Sequence, residues 1–103
     1  MYVLVRRDLT APQQLVQACH ACLEASRSFL PSDSEHPHLV VCGVRDERRL
    51  GHCLDRLRRA GVRFRAFFEP DLDNQLTAAA TEPLRGAQRR VFRDYRLLTG
   101  DGG

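Results

Sequence analysis

The order of apolar and polar positions divides this chain into short alternating elements. Tyr2-Val-Leu-Val5 is an apolar run closed by Arg6 and Arg7, which predicts a strand over 2–6. Asp8-Leu9-Thr10 turns the chain, and Thr10 with Gln13 three residues later forms a capping-box pattern with Pro12 in the first turn. A helix is predicted from there to about Phe29, where Pro31 stops it. Leu15, Cys19, Cys22 and Phe29, flanked by Val16, Leu23 and Leu30, are expected to be its core face. Gln13, Gln17, His20, Glu24 and Arg27 recur at helical steps as a separate polar stripe.

A polar loop over 32–38 leads into Leu39-Val-Val-Cys-Gly-Val44, whose continuous apolar character predicts a central strand covered on both faces. Asp46 opens a second helix with Leu50, Cys53, Leu54 and Leu57 on its buried stripe, and Gly61 ends it. A third strand follows over 62–68. Residues 69–74 form an acidic turn. Leu76-Thr-Ala-Ala-Ala-Thr81 has helical propensity, yet six residues closed by Glu82-Pro83 are short for a helix, and a fourth strand is expected. A short basic helix is expected over 86–95 with Val91, Phe92 and Tyr95 inward. The order β-α-β-α-β-β-α implies an α/β fold: a single domain over 1–98 with a mixed four-stranded sheet, helices packed on its faces, loops converging on one rim, and a flexible tail over 99–103.

A length of 103 residues fits one modest core, and 43% hydrophobic with 28% charged residues is ordinary globular composition. The first residues lack the pattern of a signal peptide, and no apolar run approaches the ~20 residues that span a bilayer, so a soluble cytoplasmic protein without membrane association is expected. The net charge is +3, and all 16 cationic side chains are Arg. With no lysine, chemistry that needs a lysine amine is excluded, whereas Arg serves well as a phosphate clamp. Cys19, Cys22, Cys42 and Cys53 each fall in an apolar pattern, which predicts buried free thiols in a reducing compartment.

Three groups carry candidate chemistry. Gln17 and His20 share the polar stripe of the first helix, where the bland alternative is a solvated helix face. Arg49, Arg56 and Arg59, extended by Arg63 and Arg65, form either a nucleic-acid footprint or the wet side of a helix neutralised by Asp46, Glu47 and Asp55. Cys19-His20-Ala21-Cys22 is formally C-x-x-C but lies inside the helix rather than at its N-terminus, which disfavours redox chemistry. Zinc lacks a second ligand pair, and Glu69, Asp71 and Asp73 lack the glycine and distal glutamate of a calcium loop. No metal site is expected.

Val5-Arg6-x-Asp8-Leu9, Gln17-x-x-His20-Ala21, Ala60-Gly61 before the third strand, and an acidic turn leading to Thr77 occur in an order that resembles the type 2 (archaeal and eukaryotic) peptidyl-tRNA hydrolases across nearly the whole chain. The resemblance implies hydrolysis of the ester between a peptide and the terminal ribose of tRNA, without metal or organic cofactor. It implies tRNA as partner and suggests a homodimer. Gln17 would correspond to the family's catalytic glutamine, His20 to its histidine, and Thr77 to its threonine. The catalytic aspartate would fall at Asp71 or Glu69, with Asp71 the first choice. At Pro12-Gln13 the family instead has Gly-Lys, and that lysine is considered catalytic. Arg6 and Arg7 stand at the strand end where they would supply positive charge, and with the arginine stripe they would hold tRNA phosphates. A catalytically silent relative that binds RNA or a protein through the same rim is the alternative, and a hydrolase of another small ester or amide is a third.

Overall fold

A computed structural model describes residues 1–99. The chain forms β1 (Tyr2–Arg6), α1 (Ala11–Phe29), β2 (Val40–Val44), α2 (Glu47–Arg59), β3 (Phe64–Glu69) and β4 (Gln75–Thr81), with a 3-10 turn at Pro70–Leu72 and a 3-10 helix at Gly86–Phe92. This is a single α/β domain with a mixed four-stranded sheet in the order β2-β1-β4-β3. β1 runs parallel to β2 and antiparallel to β4, and β3 pairs antiparallel with β4. The expected helix over 86–95 is therefore a 3-10 segment that ends at Phe92. The tail expected over 99–103 lies, but for Thr99, outside the described residues.

Local chemistry sets the boundaries. Thr10 caps α1 by accepting from the Gln13 backbone N–H, and the Gln13 side chain accepts from the Thr10 N–H at 2.9 Å. Asp46 caps α2 by accepting from the Arg49 N–H at 2.9 Å, and Gly61, at φ 74°, provides the left-handed residue that stops it. Between β3 and β4, Asp73 and Asn74 both adopt positive φ (54° and 58°), a conformation their short polar side chains tolerate.

The sheet separates two cores. On one face Leu4, Cys42, Leu76 and Ala79 pack against Leu50, Cys53, Leu54 and Leu57 of α2, closed below by Leu84 and Phe92. On the other, Val3, Val5, Ala78 and Ala80 meet Ala21 and Ala25 of α1. This second face corrects the sequence expectation. Leu15, Val16 and Leu23 are exposed, Cys19 is exposed, and Cys22 is only half-buried. The helix buries Gln14, Gln17, Ala21 and Ala25 instead. Small residues on both sides permit close approach of α1 to the sheet, and the buried amides are not left unpaired. Gln14 Nε2 donates to the carbonyls of Leu9 (2.8 Å) and Arg7 (3.3 Å), tying the helix to the turn before it.

β2 is the second correction: it is an edge strand, not a central one. Its outer side is met by the segment after the 3-10 helix, where the Gly43 N–H donates to the Arg96 carbonyl (3.0 Å) and the Leu98 N–H to that of Val41 (2.9 Å). Among the described residues no helix is long and apolar enough to cross a membrane.

Candidate functional site

β3 and β4 lose register at one point. Phe67 pairs with Ala78 and Phe68 with Leu76, so Thr77 is the extra residue of a bulge. A bulge re-aims side chains, and here Thr77 and Ala78 turn to the α1 face in succession while Leu76 joins the α2 core. The irregular backbone is held from three sides. The Leu76 N–H donates to Glu47 Oε2 of α2 at 2.7 Å, the Leu76 carbonyl accepts from Arg6 Nη1 at 3.2 Å, and the Thr77 hydroxyl donates to Gln17 Oε1 of α1 at 2.6 Å.

The Thr77 bond orients the Gln17 amide. With Oε1 engaged, Nε2 faces the end of β3 and donates to Glu69 Oε1 at 2.9 Å. Thr77 is fully buried, Gln17 is 3% exposed and Glu69 is half-buried, so hydroxyl, amide and carboxylate form a chain from core to surface. It ends in a cavity of about 280 Å³ lined by Pro12, Gln13, Val16, Gln17, Glu69, Asp71 and Leu72. The second N–H of Gln17 Nε2 and the remaining lone pairs of Glu69 are the groups such a chain offers to a reacting carbonyl and its water.

The other expected residues divide. It is Glu69 that bonds Gln17, while Asp71 lines the same cavity from the following turn. Gln13 also lines it, with its side-chain oxygen committed to the cap of α1. His20, on the next turn of the helix, is half-buried and stacks on Phe67, with ring centroids 4.6 Å apart and an angle of 17°. Arg6 is 7% exposed and faces inward. Its Nε and Nη2 bond both oxygens of Asp8 at 2.9 and 2.8 Å, and Nη1 reaches Gln75 Oε1 at 2.8 Å. Hydrogen bonding to Asp8 raises the Arg6 pKa, and the same bonds hold the Asp8 carboxyl below its ordinary value. The sequence reading missed this pairing, although Arg6-x-Asp8 at a strand end was its signal.

The expected arginine footprint also splits. Arg49, Arg56 and Arg59 stand together on α2. Arg63, at 3.1 Å from Glu82, and Arg65, bonded to Ser28, lie beside Phe29 and Phe64 near the β3 edge. Arg7 is elsewhere again, beside Gly43. Among the described residues no three His, Cys, Asp or Glu side chains converge to hold a metal ion. No protein-family model matches the chain, and neither does any curated protein.

Proposed function

We propose that this chain hydrolyses the ester of peptidyl-tRNA, with Gln17, Glu69 and Thr77 as its centre. The observation that carries this reading is the Thr77–Gln17–Glu69 hydrogen-bond chain at the mouth of a cavity, combined with the resemblance of the surrounding motifs to type 2 peptidyl-tRNA hydrolases. A water held by Glu69 attacks the carbonyl carbon as the carboxylate accepts its proton. Gln17 Nε2 donates to the oxyanion of the tetrahedral intermediate, and the ribose oxygen leaves with the proton returned from Glu69. Thr77 acts through Gln17 by fixing which end of the amide faces the substrate. His20 and Asp71 border this centre and shape access to it.

Turnover of purified peptidyl-tRNA tests the proposal. Gln17→Ala and Glu69→Gln are each expected to slow hydrolysis about 100-fold, the scale on which loss of one oxyanion donor or one general base acts. Wild-type turnover no faster than both variants would sink it.

One observation favours a second reading. Gln13 stands where the resemblance implies a lysine, and its side-chain oxygen is bonded to the Thr10 N–H at 2.9 Å. A catalytically silent module that binds RNA or a protein fits that substitution, and the same assay separates the two, since such a module gives no turnover. A homodimer belongs to the hydrolase reading as well. Leu15, Cys19 and Leu23 form an exposed apolar stripe along α1 that a second copy would cover. Sedimentation of Leu15→Glu against the wild type would then show a shift from dimer to monomer; identical profiles would remove the stripe from the interface. Four free cysteines are in keeping with a reducing, cytoplasmic location.

A further inference from the structure

A cavity of about 470 Å³ opens at the C-terminal end of β2, on the rim that also carries Glu69 and Gln75. Arg7, Arg45, Arg49 and Arg96 line it, against Asp94 as the one carboxylate. Three distant segments bring these guanidiniums together through backbone bonds to β2. The Arg7 N–H donates to the Val44 carbonyl at 2.7 Å, and the Arg96 carbonyl accepts from the Gly43 N–H at 3.0 Å. Gly43 is a condition of the arrangement. The Arg7 stem lies across it so closely that a Cβ there would come within 2.5 Å of Cδ and 2.7 Å of Cγ. Arg45 lies 3.4 Å from Asp46, whereas among the described residues neither Arg49 nor Arg96 has an ion pair.

The cationic surface does not stop at this cavity. A second one of about 250 Å³ shares Arg49, Cys53 and Tyr95 with it and adds His52, Arg56 and Arg59. Arg49 and Arg59 are ten residues apart on α2, about 15 Å at 1.5 Å per residue. A lone phosphate monoester is satisfied by two or three guanidinium groups. A track of this length, with the half-buried Tyr95 ring in its wall, suits a repeating anion.

We propose that this groove binds the phosphodiester backbone of a single nucleic-acid strand. That the strand is RNA rests on the hydrolase reading. The groove lies at the β2 end of the rim and continues along α2, whereas the Gln17–Glu69 cavity lies at the β3 end against α1, on the other face of the sheet. Arg45 and Arg96 join Arg7, Arg49, Arg56 and Arg59 as the strand's phosphate ligands.

The test is the affinity of the full chain for a labelled single-stranded RNA dodecamer without any peptidyl ester, measured by fluorescence anisotropy across a salt series. Wild-type affinity should fall as salt rises. Combining Arg45→Ala, Arg49→Ala and Arg96→Ala should weaken binding at least tenfold and flatten the log–log salt slope by about 2, since each phosphate that an arginine neutralises on a single strand adds about 0.7 to that slope. A variant of equal charge change at exposed arginines outside every candidate site, Arg27→Ala with Arg85→Ala and Arg89→Ala, should bind within about twofold of wild type if the groove, and not net charge, is responsible. Equal loss in both triple variants, or wild-type affinity in the groove variant, would overturn the proposal. So would displacement of the RNA by an equal concentration of uridine monophosphate, which would mark a small-molecule pocket. Because no ester is present, a wild type that fails to cleave peptidyl-tRNA but binds RNA through the groove leaves this inference standing. Turnover without groove-dependent binding removes it.

Discussion

Arg6→Ala is expected to lower the stability of the domain by about 3 kcal/mol, read as a shift in the urea midpoint at unchanged slope. The guanidinium sits 7% exposed at the end of β1 and makes four hydrogen bonds: two to the carboxylate of Asp8, one to the side chain of Gln75 and one to the carbonyl of Leu76. Truncation leaves the buried Leu76 carbonyl without its side-chain donor, loses the bond to the half-buried Gln75 amide oxygen, and strips Asp8 of its counter-charge. Lysine is a poor substitute because it cannot present the planar fork that meets both Asp8 oxygens, so Arg6→Lys should recover less than half of the loss. The pairing also sets an acid limb. Asp8 has a depressed pKa in the folded state, chiefly through its hydrogen bonds from Arg6, so its stabilisation is complete above the unfolded value of about 4. It is lost as pH falls through the lower folded value. Asp8→Asn should therefore flatten the decline of stability below about pH 4; a decline as steep as that of wild type would assign the acid limb to other carboxylates.

Ala21→Leu is expected to cost about 2–3 kcal/mol and to lower the melting temperature by about 10 °C. Ala21 and Ala25 are fully buried against Ala78, Ala80, Val3 and Val5, and this layer of small side chains sets how closely α1 lies on the sheet. A leucine at 21 has no volume to enter, so the helix must lift, and Gln17 one turn earlier must lift with it. The variant should thus lose the Thr77–Gln17–Glu69 chain as well as stability, with slower peptidyl-tRNA turnover as the functional readout. Ala21→Gly separates the causes: it should cost about 1 kcal/mol through helix propensity alone and leave the helix seated. If Ala21→Leu proves no worse than Ala21→Gly, the close approach is not what holds the helix in place.

The same alanines explain where the sequence misleads. α1 offers two stripes, one with Leu15, Cys19 and Leu23 and one with Gln17, Ala21 and Ala25. Hydrophobicity favours the first. The fold buries the second because β4 is a run of alanines that a small-residue face fits, and because Gln14 and Gln17 find acceptors and donors that remove the penalty for burying an amide. For β2, the continuous apolar run did signal two covered faces, with Cys42 toward α2 and Val41 toward α1. Lateral position in the sheet is a separate property that the run does not encode. Helix ends were legible at Thr10, Asp46 and Gly61 because capping chemistry is local. Gln17 stood out on the polar stripe of α1, and Thr77 only through the family resemblance. The carboxylate that meets Gln17 depended on the conformation of the short turn after β3, and Arg45 and Arg96 come together only through bonds between segments far apart in the chain.

The bulge at Thr77 also acts as an alignment key for the hairpin. In a regular antiparallel ladder a slip of one residue exchanges the faces of every side chain beyond it. Here β4 has fixed anchors on both sides of its extra residue: Ala78 and Ala80 in the α1 layer after it, Leu76 with its bonds to Glu47 and Arg6 before it. Deleting Thr77 would straighten the strand with Leu76 still opposite Phe68 and facing α2, and would remove the side chain that reaches Gln17, whereas replacing it with valine keeps the bulge and removes only the hydroxyl. Shape-conserving changes at this position therefore tune a hydrogen bond, and loss of the extra residue removes the α1-face position from which the hydroxyl reaches Gln17 while its neighbours keep their faces.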